Sequence, residues 1–217
     1  DKLEPFASKE KITRVLEGAI LGNMFFEPST RTRISFGSAF NMLGGEVRET
    51  TEIEATSLAK GESLYDTSRV LSGYSDVIVM RHPLAGSVAE FAEASRVPVI
   101  NGGDGDNEHP SQALLDLFTI KKELESHNKE IDTARIALIG DLKFGRAAHS
   151  LCKILMLYTN ISIKLVSPDK LKLPDFLISE FEKKNISILE TQDIKEGIAD
   201  VDIIYMTRIQ EERFDNV

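Results

Sequence analysis

Apolar and polar positions along this chain change period repeatedly. Between residues 19 and 26 apolar side chains run together, broken by Gly22 and Asn23, and the run stops at Glu27-Pro28. The spacing then switches. Phe36, Ala39, Phe40 and Leu43 fall at i, i+3, i+4 and i+7, the repeat of one helix face. Gly44-Gly45 closes that helix, as glycine does where a chain must turn out of helical geometry. Short apolar runs predict strands over 20–26, 76–80, 97–100, 135–140, 161–166, 186–189 and 202–206. Helical spacing predicts helices over 8–17, 29–43, 62–73, 86–95, 111–126, 146–158, 174–184 and 193–199. Strands alternating with helices imply an α/β fold with parallel sheets, because each parallel crossover must pass over a sheet face. The polar stretch 123–133 separates two such groups. Two domains are therefore expected, 1–130 and 131–217, each a parallel sheet flanked by helices on both faces. The second holds fewer units and is expected to be incomplete in this sequence.

Composition narrows the partners more than the fold. Hydrophobic residues at 41% and charged residues at 28% are ordinary for a globular protein. A net charge of −9 argues against a general nucleic-acid binder, so local arginine clusters stand out against an acidic background. No apolar run approaches the ~20 residues that cross a bilayer. The opening Asp1-Lys2-Leu3-Glu4 is no signal peptide, and a cytoplasmic location without membrane contact is expected. The single cysteine, Cys152, lies among Leu151, Ile154 and Leu155 and reads as a buried, inert thiol.

The chemistry gathers after the strands. In open α/β sheets ligands bind beyond the carboxyl ends of the strands. Strand 20–26 is followed by Ser29-Thr30-Arg31-Thr32-Arg33, and strand 76–80 by Arg81-His82-Pro83. Strand 97–100 is followed by Asn101-Gly102-Gly103-Asp104-Gly105, after which His109-Pro110-Ser111-Gln112 opens a helix. Strand 135–140 leads to Asp141-Leu142-Lys143-Phe144-Gly145-Arg146, and strand 202–206 to Thr207-Arg208-Ile209-Gln210. Four of these five edges carry arginine, which suits small ligands with several negative charges. At the first edge, hydroxyls and guanidinium groups sit where a helix N-terminus already presents free N–H groups and partial positive charge. That describes a phosphate site with neither a glycine-rich loop nor a Walker lysine. Taken alone, Ser-Thr-Arg-Thr also reads as a helix cap with solvated arginines. His82 and His149 read as packing residues and His127 as a linker residue, while Lys143 stays open between a surface and a binding role.

Together these segments, with Ser57-Leu58-Ala59-Lys60-Gly61-Glu62-Ser63, resemble the catalytic chains of the aspartate carbamoyltransferase family, in order and over nearly the whole sequence. Ser-Thr-Arg-Thr-Arg with His-Pro-x-Gln is similar to carbamoyltransferases at large. Gly-Asp-Leu-Lys-x-Gly-Arg and Thr-Arg-x-Gln resemble the aspartate branch. The resemblance implies transfer of the carbamoyl group of carbamoyl phosphate to the amine of L-aspartate, an early step of pyrimidine synthesis, with no metal or organic cofactor. It implies that Ser29, Thr30, Arg31, Thr32 and Arg81 hold the phosphate. His109 would donate to the carbamoyl oxygen, and Gln112 would contact the carbamoyl amide. Arg146, Arg208 and Gln210 would bind aspartate. Ser57 and Lys60 match a loop that the family lends to the neighbouring subunit of a homotrimer, whose active sites are shared. A regulatory chain is left open.

Two departures are visible. Position 147, commonly Thr in the family, is Ala147 here, which removes a hydroxyl contact to aspartate. The family also continues past Thr-Arg-x-Gln with further βα units, including a His-Pro-Leu-Pro-Arg-like segment, and begins with a longer helical stretch. The chain is thus expected to be part of a longer one. Three alternatives stay open on sequence alone. One is a carbamoyltransferase with another acceptor such as ornithine, and another is a catalytically silent chain of the same fold. The third is a dinucleotide-binding module on the turn after strand 135–140, which lacks Gly-x-Gly-x-x-Gly and carries Lys143 and Phe144 where a backbone must approach closely.

Overall fold

The computed structural model describes residues 2–51 and 57–209. They form two compact units that divide between Asn107 and Glu108. In the first unit a short helix α1 (Glu4–Ala7) precedes β1 (Ile20–Phe25), α2 (Arg31–Met42) and β2 (Glu46–Thr50). A 3-10 turn at Ser57–Lys60 leads to α3 (Leu64–Leu71), β3 (Val77–His82), α4 (Ser87–Ala94) and β4 (Val99–Asp104). The strands pair in parallel in the order β2-β1-β3-β4. The second unit runs α5 (Pro110–Ser126), β5 (Arg135–Ile139), α6 (Arg146–Leu155), β6 (Ser162–Val166), α7 (Asp175–Lys183), β7 (Ser187–Thr191), α8 (Ile194–Ile198) and β8 (Ile203–Met206). Its parallel order is β7-β6-β5-β8.

Strand periodicity sorts the core onto two faces of each sheet, as expected. Successive side chains on a strand point to opposite sides. In the first unit Met24, Phe26, Ile78 and Met80 pack with Val88 and Phe91 of α4, while Leu21, Phe25 and Val79 pack with Phe36 and Phe40 of α2. In the second, Ile136, Leu138, Ile163 and Leu165 meet Leu151 and Leu155 of α6 and Phe181 of α7. Ala137, Ile139 and Val166 face the other way, towards Val201. The central strands β1, β3 and β5 are buried on both faces along nearly all their length, so they read as largely apolar runs. Each fully buried side chain of this size contributes about 1.5–3 kcal/mol.

Two expectations fail for visible reasons. Residues 8–17 form turns rather than a helix. Lys9 takes a positive φ of 63°, which a helix cannot continue, and the Leu16 N–H donates to the Leu43 carbonyl instead of to its own turn. Ile12 and Val15 are exposed, so the periodicity has no surface to bury against. Conversely, β2 carries only Val47 as an apolar residue among Glu46, Arg48, Glu49 and Thr50. It is an edge strand, where charges keep the open side from pairing further, and such a strand has no apolar run to betray it.

By packing, the chain divides between Asn107 and Glu108, ahead of the polar stretch 123–133. Ile120 and Leu124 of α5 are buried in the same core as Ala134, Leu151 and Leu155, so α5 belongs by packing to the second unit. Cys152 is fully buried there, and burial pushes its thiol up to about 12, where it is inert at neutral pH. Among the described residues no helix is long and apolar enough to cross a membrane.

Candidate functional site

Chain order determines where a ligand can enter each sheet. From β1 the chain first goes to β2 on one side and then crosses to β3 on the other. From β5 it goes to β6 and β7 on one side and then crosses to β8. The turns after β1 and β3, and those after β5 and β8, therefore diverge and leave a crevice at each carboxyl edge. Arg31, Arg146 and Arg208 follow β1, β5 and β8, and Arg81 is the penultimate residue of β3.

At the first crevice, Phe25 is in register with Arg81, and the Phe26 N–H donates to the Arg81 carbonyl at 2.9 Å. The turn through Glu27, Pro28, Ser29 and Thr30 thus lies beside Arg81. Arg81 is 7% exposed, and its Nη2 donates to Glu27 Oε1 at 2.9 Å. Such a buried cation needs a carboxylate partner, and an arriving phosphate would compete with that partner. Thr30 is the N-cap residue of α2, yet its side chain does not cap the helix. Arg31 is exposed and Thr32 half-buried at the opening of that helix. Arg33 points elsewhere: its Nη1 lies 2.6 Å from Glu49 Oε2 on β2, and Glu49 Oε1 also accepts from Asn23 Nδ2 at 2.7 Å. The five residues named for the phosphate therefore share one edge, and the second arginine of the motif anchors the helix to the sheet.

His82, next to Arg81, is structural. It is buried, its Nδ1 accepts the Leu84 N–H at 3.1 Å, and its ring meets Phe26 edge-on. Burial lowers its pKa and keeps it neutral. Lys60 ends the 3-10 turn as an exposed residue, and Ser57 starts that turn.

In the second unit His109 precedes α5. Its backbone N–H donates to Ser150 Oγ at 2.9 Å, and the Ser150 hydroxyl donates in turn to Glu108 Oε2 at 2.5 Å. Glu108 also pairs with Lys153. Ser111 Oγ lies 3.3 Å from His109 Nδ1. With the hydroxyl as donor, the neutral ring carries its proton on Nε2, the tautomer that can donate to a carbonyl oxygen. Gln112, one turn into α5, donates from Nε2 to Asp116 Oδ1 at 2.8 Å.

At the second crevice the turn after β5 is closed by its own carboxylate. Asp141 is fully buried, and its Oδ1 accepts the N–H groups of Lys143 at 3.2 Å and Phe144 at 2.9 Å. Gly140 has φ 119°, and a Cβ there would stand 2.4 Å from the Thr207 carbonyl oxygen, so glycine is required. Thr207 Oγ1 donates to the Asp141 carbonyl at 3.1 Å, tying the two turns together. His149 Nε2 donates to the Leu142 carbonyl at 2.8 Å, and burial lowers its pKa. Arg146 opens α6 half-buried and Arg208 follows β8 exposed, on the two sides of the crevice. Lys143 is exposed with its ammonium over the Phe144 ring. Ala147 is half-buried on the first turn of α6. A carboxylate filling the loop leaves no cradle for a pyrophosphate, which removes the dinucleotide alternative. Gln210 lies outside the described residues.

Sequence reading missed the supporting acids and hydroxyls: Glu27, Asp116, Ser150 and Tyr205. Glu27 precedes the motif directly, and Asp116 stands four residues after Gln112, so spacing alone held a signal for both. Ser150 and Tyr205 come from distant segments and gave none. Among the described residues no cluster of three or more His, Cys, Asp and Glu side chains is placed to hold a metal.

The family model of the aspartate/ornithine carbamoyltransferase carbamoyl-P binding domain matches residues 1–122, and that of the Asp/Orn binding domain matches 132–217. The chain belongs to the aspartate/ornithine carbamoyltransferase family. An aspartate carbamoyltransferase catalytic subunit from Cellvibrio japonicus is 66% identical over 214 residues, which are 99% of this chain and 63% of that protein. The catalytic subunit of M. jannaschii aspartate transcarbamoylase superposes with a TM-score of 0.89 at 47% identity, over 99% of this chain and 69% of that one. Trypanosoma cruzi aspartate transcarbamoylase, solved with carbamoyl phosphate and aspartate, gives 0.86 at 41% identity, over 98% and 67%. The chain thus spans somewhat under two thirds of the length of its Cellvibrio relative.

Proposed function

We propose that the protein containing this chain transfers the carbamoyl group of carbamoyl phosphate to L-aspartate, giving N-carbamoyl-L-aspartate and phosphate. The observation that carries this reading is the placement of arginines on both sides of both crevices: Arg31 and Arg81 in the first unit, Arg146 and Arg208 in the second. Phosphate needs one cluster of donors, and a dicarboxylate needs two forked cations. Residues 1–130 would then serve carbamoyl phosphate and 131–217 aspartate.

The neutral amine of aspartate attacks the carbamoyl carbon. A C–N bond forms, the bond from carbon to the phosphate oxygen breaks, and the proton lost by the amine leaves with phosphate. Ser29, Thr30, Arg31, Thr32 and Arg81 hold the phosphate and neutralise charge as it departs. His109 donates from Nε2 to the carbamoyl oxygen as it becomes an oxyanion, and Gln112 contacts the carbamoyl amide. Arg146, Arg208 and Gln210 bind the aspartate carboxylates. Holding both reactants in place supplies much of the rate gain. Ser57 and Lys60 complete the site of a neighbouring copy in a homotrimer. We take the reaction to belong to pyrimidine synthesis and the protein to the cytoplasm.

The test is formation of carbamoyl-aspartate by the full-length protein, with L-ornithine as control acceptor. Turnover with aspartate alone is expected. Turnover with ornithine alone would reassign the acceptor, and none with either would leave a silent chain of this fold.

A further inference from the structure

Gln112 does not meet its surroundings in either of two equivalent ways. A primary amide can present its oxygen or its NH2, and the two faces differ in everything that matters to a ligand. Here its Nε2 lies 2.8 Å from Asp116 Oδ1. A carboxylate only accepts, so the amide must turn its NH2 towards Asp116. Its oxygen is then turned away from Asp116. The carboxylate is itself held, because the Tyr205 hydroxyl on β8 donates to Asp116 Oδ2 at 3.0 Å. Tyr205 is half-buried, and burial together with the facing Asp116 charge raises its pKa, so the phenol keeps the proton it donates. One carboxylate thus takes a donor on each oxygen, one from α5 and one from β8.

We propose that Asp116, held by Tyr205, is a positioning residue that makes Gln112 present an acceptor, so that the site selects a ligand bearing an NH2 group. Resting on the function proposed above, this assigns to Asp116 the discrimination between a carbamoyl group and an acetyl group of nearly the same shape. The carbamoyl NH2 donates to Gln112 Oε1, whereas a methyl group offers nothing and leaves that oxygen without a ligand partner. Sites built to pair a polar substrate group reject the analogue that lacks it far more strongly than apolar pockets reject a size change. A plain i to i+4 Gln–Asp pair on a helix surface would support the helix and nothing more. The second contact, from another element, is what turns this pair into a fixed orientation.

The test is the ratio of dissociation constants of acetyl phosphate and carbamoyl phosphate for the full-length protein, measured for the wild type, Asp116→Asn, Tyr205→Phe, Gln112→Ala and the double variant Asp116→Asn/Gln112→Ala. Asparagine can accept from Tyr205 and donate to Gln112, which reverses the amide so that NH2 faces NH2. The expected result is about a tenfold fall in the ratio for Asp116→Asn, equivalent to about 1.4 kcal/mol, through weaker carbamoyl phosphate binding alone. Acetyl phosphate and inorganic phosphate should bind within about twofold of wild type. Tyr205→Phe should move the ratio the same way by about twofold to threefold, one accepted hydrogen bond being the lesser loss. In the Gln112→Ala background Asp116→Asn should change nothing. A fall equal for all three ligands, or a ratio that still shifts without Gln112, would overturn the positioning role. A wild type that binds none of the three would overturn the functional reading itself, which keeps the two failures apart.

Discussion

In the first unit β1 runs into α2 through residues 26–30, and in the second β5 runs into α6 through residues 140–145. Each central strand has its switch neighbour, β3 or β8, on one side. Each is clamped at its amino end in the same way. Asp76, just before β3, accepts the Ile20 N–H at 2.8 Å and donates its own N–H to the Ile20 carbonyl. Asp202, just before β8, accepts the Arg135 N–H at 2.8 Å and donates to the Arg135 carbonyl. The carboxyl ends differ. After β1 the helix opens without a side-chain cap and with Arg31 exposed beside it. After β5 the helix likewise opens without a side-chain cap, but the loop before it is filled by the carboxylate of Asp141. Under the function proposed above, the first edge would offer backbone N–H groups to a compact phosphate, and the second would reach outward with the forks of Arg146 and Arg208 for separate carboxylates.

The largest test of that contrast is Arg31→Ala. The side chain is exposed, so thermal stability should hardly change, while kcat/KM for carbamoyl phosphate should fall by about 10²–10³-fold, the cost of losing one donor to developing charge. Steady-state kinetics with a melting curve reads both numbers. A loss in melting temperature instead would make Arg31 a structural residue. Arg208→Ala should act on the other ligand. KM for aspartate is expected to rise about 10–100-fold, the loss of a charged hydrogen bond or two, with phosphate binding unchanged. Were phosphate binding to weaken equally, the division of labour between the two units would be wrong.

The amino-end clamps give a smaller, structural comparison. Asp202 also faces Arg135 Nη2 at 3.1 Å and Lys129 Nζ at 2.5 Å, and its side chain is 6% exposed. The Arg135 hydrogen bond, with that of Lys129, holds its carboxyl well below the usual carboxylate range, against the opposing effect of burial. Asp202→Asn should cost about 1–3 kcal/mol in denaturant unfolding, and Asp76→Asn about 0.5–1.5. Equal losses would mean the cations at Asp202 contribute nothing.

Acidification should load both units by the same mechanism. Burial lowers the pKa of His82 in the first and of His149 in the second. The unfolded chain takes up these protons near its ordinary pKa of about 6.5, and the native state does so only at lower pH. Their contribution is therefore whole above about pH 6.5 and is lost as pH falls below it. The melting temperature should drop by a few degrees between pH 7 and 5.5, and His149→Gln should flatten that slope. A slope unaltered in His149→Gln would show that another group carries the acid sensitivity.

Much of this architecture is legible in the sequence. Runs such as 20–26 and 135–140 are apolar because central parallel strands are buried on both faces, and the helix over Arg31–Met42 announces itself through Phe36, Phe40 and Leu43. The edge strand β2 was not legible, because a strand with one covered face and one free edge tolerates Glu46, Arg48 and Glu49. The helix expected over 8–17 failed because apolar spacing is only an offer of a face, and no neighbour takes it up.

What the sequence determined by itself is the set of local chemical groups: strand-to-helix turns ending in hydroxyls and arginines, and a histidine at a helix start with a glutamine three residues on. These depend on spacing within a dozen residues, which the chain encodes directly. Only the tertiary structure decided which turns share an edge, that Arg33 serves Glu49 and the sheet, that Arg81 is held by Glu27, and that Tyr205 reaches Asp116 across 89 positions of chain. The reason is that crossover order and side-chain orientation follow from burying two faces of each sheet at once. No single segment carries that constraint.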